Sequence, residues 1–94
     1  MAPIGFELDV SRPDDRPEIE FIQRRIIRCA DEINAFMKTE GREKNVPIER
    51  LDLYLWYIDE LKWMLSAVRG VSVKGVTEVE GYLQRKRLQA NQLH

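Results

Sequence analysis

From residue 17 onward the apolar positions fall into a helical rhythm. Ile19, Ile22, Ile26, Cys29, Ile33 and Phe36 recur at alternating spacings of three and four, a heptad-like seam along one side of a helix. Ala30 and Met37 widen it into a core-facing stripe, while Phe21 and Ile27 lie off the seam and point to other surfaces. Pro17 suits a first helical turn, Asp14 or Asp15 can cap it, and Gly41 is the natural stop. The pattern predicts a first helix over residues 17–40. Pro47 opens a second helix over 47–69, ending at Gly70. The polar loop GREKNV between them is short enough to turn the chain straight back, giving an antiparallel helical hairpin.

The second helix, containing LDLYLWYIDELKW at residues 51–63, carries apolar residues on more than one face. At about 100° per residue, Leu51, Tyr54, Leu55, Ile58, Leu61, Leu65 and Val68 form a broad arc that suits the seam of the first helix. On the far side Asp52, Trp56, Asp59 and Trp63, spaced by four, three and four, alternate carboxylate and indole. Burying a tryptophan removes on the order of 200 Å² from water, which at about 25 cal/mol per Å² amounts to several kcal/mol per ring. Three covers suit the stripe: the third helix or the N-terminal arm, a second chain, or a flat aromatic ligand. The carboxylates can meet Lys, Arg or indole N–H groups of a partner.

The two ends are less regular. Ile4, Phe6, Leu8 and Val10 occupy every second position, the period of a strand. This predicts an extended arm over residues 1–16 that either pairs with a second copy of itself or lies over the helices. GVSVKGV, residues 70–76, is a break with two glycines, read as a turn or a brief extended piece. A third, shorter helix over 77–90 starts from the T-x-x-E pattern of Thr77 and Glu80, a capping box. The expected architecture is a single all-α domain over residues 1–94: an antiparallel helical hairpin, a shorter third helix and an extended N-terminal arm. With only 94 residues, folding buries roughly 60–65% of the surface of the unfolded chain, so self-association is a ready way to add core.

Composition narrows the function classes. A net charge of −1 gives no general electrostatic hold on nucleic acid or an anionic membrane. The run Arg85-Lys86-Arg87 is a short cationic cluster, read first as a solvated helix face and second as a nucleic-acid contact. The single cysteine, Cys29, excludes an intrachain disulfide and falls on the core-facing seam, where a thiol is inert. His94, the last residue, is the only histidine, so no nucleophile–histidine–acid set can be assembled. The Glu-x-x-His pattern of dinuclear helical bundles is also missing. No metal site and no cofactor are expected, and the absence of a signal peptide or a membrane-length apolar run gives the cytoplasm as the expected compartment.

The segments PEIEFIQRRIIRCADEI and VPIERLDLYLWYIDE, with the polar loop between them, resemble the carboxyl-terminal helices of the queuosine salvage family. Members of that family hydrolyse the N-glycosidic bond of a queuosine nucleotide. The D-x-x-L-W run also resembles the last helices of helix-hairpin-helix DNA glycosylases. The matching positions are Leu51, Asp52, Tyr54, Leu55 and Trp56. The resemblance covers residues 17–63 and implies a nucleobase stacked on Trp56 and a nucleotide or water oriented by Asp52.

Two functional expectations from different classes follow. The leading one is a non-enzymatic interaction module, an adaptor or small subunit. It acts by self-association or on a protein partner through Trp56, Trp63, Asp52 and Asp59. The alternative is a reduced relative of the nucleotide N-glycosidases, with Asp52 as its catalytic carboxylate.

Overall fold

The structure, a computed structural model, describes residues 5–10 and 16–92. Strand β1 (Glu7–Val10) leads to helix α1 (Pro17–Lys38); a short 3-10 turn (Glu40–Arg42) and a loop reach α2 (Ile48–Ala67); β2 (Val71–Lys74) and α3 (Val76–Gln92) follow. The three expected helices are present, with ends within two residues of the expected ones. Ile4, Asp14, Asp15 and His94 lie outside the described residues.

The hairpin is antiparallel. Phe36 of α1 stacks on Tyr54 of α2 with ring centroids 3.9 Å apart, the Cys29 thiol approaches the Tyr57 carbonyl oxygen at 3.5 Å, and the buried Gln23 donates to the Arg69 carbonyl at 3.0 Å. Sequence numbers rise on one helix as they fall on the other. The α1 seam is buried as expected at Ile26, Ala30, Ile33, Phe36 and Met37, with Ile19, Ile22 and Cys29 half-buried beside it. α2 turns Leu51, Ile58, Leu61 and Met64 inward, and Val68, just past its end, is buried too. α3 lies antiparallel to α2: Lys62 meets Glu80 at 2.6 Å and Asp52 meets Arg87. Val79 and Leu83 of α3 are fully buried in the same core.

The arm lies within the chain's own fold. β1 pairs antiparallel with β2 in the register Glu7↔Lys74, Leu8↔Val73, Asp9↔Ser72 and Val10↔Val71. The break GVSVKGV therefore supplies the strand that the arm needs, and no second copy is required for that pairing. Asn34 on α1 holds the arm as well: its side-chain oxygen accepts from the Phe6 N–H at 2.7 Å and its side-chain nitrogen donates to the Phe6 carbonyl at 3.2 Å. Phe6 enters the core, 7% exposed.

Three local expectations change. Gly41 does not end α1 by a left-handed turn; among the described glycines only Gly70 and Gly75 take positive φ. Gly41 is needed for close approach, because a Cβ there would stand 3.0 Å from the Phe36 carbonyl oxygen and 3.1 Å from its ring. The capping box at Thr77 does not form: α3 begins at Val76, the Gly75 carbonyl accepts from the Val79 N–H at 3.0 Å, and Glu80 gives its carboxylate to Lys62. α1 has Arg16 as its N-cap residue with no side-chain cap bond, and Pro17 opens the helix as expected.

The two glycines that flank and occupy α3 have opposite expected effects when replaced by alanine. Gly75 sits at φ 96°, and a Cβ there would collide with the Gly5 carbonyl oxygen of the arm. Gly81 is helical, and the nearest atom to its added Cβ is the end of the flexible Arg85 side chain at 3.4 Å. Gly75→Ala is expected to cost about 1–3 kcal/mol, and Gly81→Ala to gain about 0.5–1 kcal/mol. Urea midpoints of the two variants against the parent check both signs.

Candidate functional site

Packing of the core leaves one long side of the hairpin open. On α1, Phe21, Arg25, Arg28 and Glu32 follow at spacings of four, three and four and so share one face. On α2, Trp56, Glu60 and Met64 stand opposite. Between them runs an open groove of about 390 Å³, lined by these residues with Cys29 and Tyr57 at its floor. Phe21 is 60% exposed, Trp56 56% and Trp63 69%. The cover expected from α3 or the arm is therefore absent among the described residues, since those elements pack elsewhere. Trp56 leans on Tyr57 at 5.7 Å between centroids, and the Arg25 guanidinium lies 5.9 Å from the centre of the Phe21 ring.

The carboxylates of the expected stripe divide. Asp52 is taken by α3, where the Arg87 guanidinium donates to its Oδ1; the bond also pushes the Arg87 pKa up. Asp59 is exposed on the same edge. The acidic residue within the aromatic surface is instead Glu60, half-buried in the groove. The outward row on α2 then reads Leu53, Trp56, Glu60, Trp63, Ala67, at spacings of three, four, three and four, with all but the half-buried Glu60 exposed. That row was legible in the sequence as a second heptad seam, and it differs from the alternating Asp–Trp stripe by replacing both aspartates.

The cationic run near the end of the chain is mostly structural. Arg87 clamps Asp52, the Lys86 ammonium donates to the Glu43 carbonyl and lies 5.4 Å from the Tyr82 ring centre, and Arg85 is exposed. Tyr82 completes the clamp by donating from its hydroxyl to the Gly41 carbonyl at 2.7 Å. Two of the three cations thus tie α3 to α2 and to the turn between the hairpin helices, which reduces the solvated face to Arg85.

Cys29 is half-buried and lines the groove instead of filling the core. Burial raises its pKa first, and the nearby Glu32 and Glu60 carboxylates push it further, to about 11, against a smaller lowering by Arg25. The thiol stays protonated at neutral pH and is a poor nucleophile. Among the described residues no group of three or more His, Cys, Asp and Glu comes together to hold a metal ion, and no helix is long and apolar enough to cross a membrane. In comparisons with known proteins, no family model, no curated protein and no solved structure matches the chain.

The raised Cys29 pKa has a direct readout. With the folded pKa near 11 against an ordinary 9.0, the thiolate fraction at pH 8 falls about 100-fold on folding. Alkylation by iodoacetamide is expected to be slower by about that factor in the native protein than in urea. Equal rates would mean that the thiol is neither desolvated nor held beside the two glutamates. The same shift lowers stability at high pH. The proton is kept by the folded chain and lost by the unfolded one as pH rises from about 9 to about 11, so this contribution is full below that window and gone above it.

Proposed function

We propose that the protein is a non-enzymatic helical interaction module, an adaptor or small subunit, that acts through self-association or on a protein partner. The observation that carries this reading is the exposure of Phe21, Trp56 and Trp63 along the open side of the hairpin. With about 150–250 Å² per aromatic side chain, these three rings leave on the order of 400 Å² of aromatic surface in water. A patch of that size on a soluble protein commonly has a function. Covering it is worth about 10 kcal/mol gross at about 25 cal/mol per Å², comparable with the roughly 4–15 kcal/mol that association costs in lost freedom. The rings alone give weak, reversible binding, and the charges around them decide which partner is accepted.

No observation favours the N-glycosidase reading, because Asp52, its proposed catalytic carboxylate, is engaged by Arg87 on the α3 side and does not line the groove beside Trp56. The nucleic-acid reading loses two of its three cations to contacts within the chain.

Replacing both indoles separates surface from core. Trp56→Ala with Trp63→Ala is expected to keep the helical circular-dichroism signal and to shift the urea midpoint little. The same variant is expected to lose any association that the parent shows by light scattering across a dilution series. Collapse of the helical signal would place the rings in the fold's own stability and overturn the reading.

A further inference from the structure

The open side of the hairpin has a self-complementary order of charges and apolar groups. Along α2 the outward row is symmetric about Glu60: Trp56 and Trp63 flank it at four and three residues, Leu53 and Ala67 at seven each. Along α1 the charged row runs Arg25, Arg28, Glu32. Because the helices are antiparallel and share one groove, Glu60 falls level with Arg28 at its middle. By the same antiparallel order of contacts, Phe36 to Tyr54, Cys29 to Tyr57 and Gln23 to Arg69, Glu32 lies toward the Trp56 end and Arg25 toward the Met64 end. Among the described residues Arg28, Glu32 and Glu60 have no ion-pair partner within the chain, and Arg25 has only the Phe21 ring.

We propose that this side docks a second copy of the chain, face to face and antiparallel, on a two-fold axis at the level of Glu60 and Arg28; the inference rests on the interaction-module reading. α2 then lies on the partner's α2 and α1 on the partner's α1, a four-helix layer. Trp56 meets the partner's Trp63, and Leu53 meets the partner's Ala67, large against small. Arg25 meets the partner's Glu32, twice by symmetry. At the axis Arg28 comes to the partner's Arg28 and Glu60 to the partner's Glu60, four charges that sum to zero. The parallel arrangement instead lays α1 on the partner's α2; it sets Arg28 against the partner's Glu60, but Glu32 against an indole and Arg25 against Met64. It leaves both charges covered and unpaired, which disfavours it.

Size agrees with this occupant. α2 has 20 residues, so a two-helix face is about 30 Å long and about 20 Å wide, roughly 600 Å² in projection. The accessible surface of so ridged a face exceeds its projection, which brings it near the roughly 800 Å² per partner of an ordinary stable interface. The chain is also a slab, 50 × 26 × 18 Å, with a radius of gyration of 14.4 Å, against about 12.4 Å expected for a compact chain of this length. A second slab on the open side would restore ordinary proportions.

Light scattering across a dilution series, combined with site-directed cross-linking, tests the arrangement. In a Cys29→Ser background, Glu60→Cys is expected to cross-link to itself with a short bismaleimide. Leu53→Cys alone is expected not to, since its two copies would lie about 21 Å apart along the axis. A mixture of Leu53→Cys and Ala67→Cys chains is expected to cross-link. Arg25→Glu is expected to weaken the dimer about tenfold or more by facing the partner's Glu32, and Arg25→Glu with Glu32→Arg to restore it. A monomer at every concentration overturns the second copy as occupant. A dimer that fails to cross-link at Glu60 overturns this register and leaves the interaction-module reading standing. Unfolding of the double tryptophan variant overturns that reading itself, so the two failures are distinguishable.

Discussion

α2 must satisfy two neighbours at once, and the rest of the molecule follows from how it divides its circumference. One part of its surface, with Tyr54, Tyr57 and Met64, faces α1. Another, with Asp52 and Lys62, faces α3. Two packed neighbours leave a helix with roughly a third of its surface free. On a helix whose free third were charged, this would be the ordinary amphipathic outcome. Here the free third carries two indoles and a leucine, so the same division that builds the core also creates the exposed seam.

α3 can occupy its place because of directed polar contacts as much as apolar burial. Val79 and Leu83 supply the fully buried contacts, which is a small apolar share for 17 residues. Its position is fixed by Glu80 on Lys62 and, further along, by Tyr82, Lys86 and Arg87. These last three reach Gly41, Glu43 and Asp52 respectively. The exposed ion pairs among these are individually weak. The Tyr82 bond stands apart, because it satisfies the carbonyl of the buried Gly41, where the chain cannot accept a side chain. The turn of the hairpin and the seating of the third helix are therefore one unit.

The hairpin was legible in the sequence because each helix repeats its signal over many residues, so a local error cannot erase it. The ribbon was not. Glu7 and Lys74 are partners 67 positions apart, and a four-residue strand such as VSVK carries no mark of what it pairs with. The capping pattern at Thr77 failed for a related reason: Glu80 had a second suitor, Lys62, that only the packing of α3 on α2 brings near. A helical wheel likewise gave the side on which Asp52 lies, but could not show Arg87 waiting across from it. The aromatic surface was half legible. The indoles announced that something must cover them, whereas Phe21 and Arg28 joined them only once α1 and α2 were set side by side.

The charges around the indoles bear on a general difficulty of small helical proteins. A seam made only of leucines would accept any amphipathic helix, in either direction and in several registers. Large flat indoles next to a small Ala67 restrict the registers in which a second copy fits, because a shift by one heptad takes Leu53 off the partner's Ala67 and leaves one indole of each copy without a ring opposite it. Arg25 and Glu32, one turn on either side of Arg28, restrict the direction, because only an antiparallel neighbour brings each opposite its counterpart. Glu60 has the same effect on promiscuous binding: an apolar helix laid over it would bury a carboxylate without a cation, a cost of several kcal/mol. The groups that make the exposed seam look imperfect as a hydrophobic surface are thus the ones that limit what can bind to it.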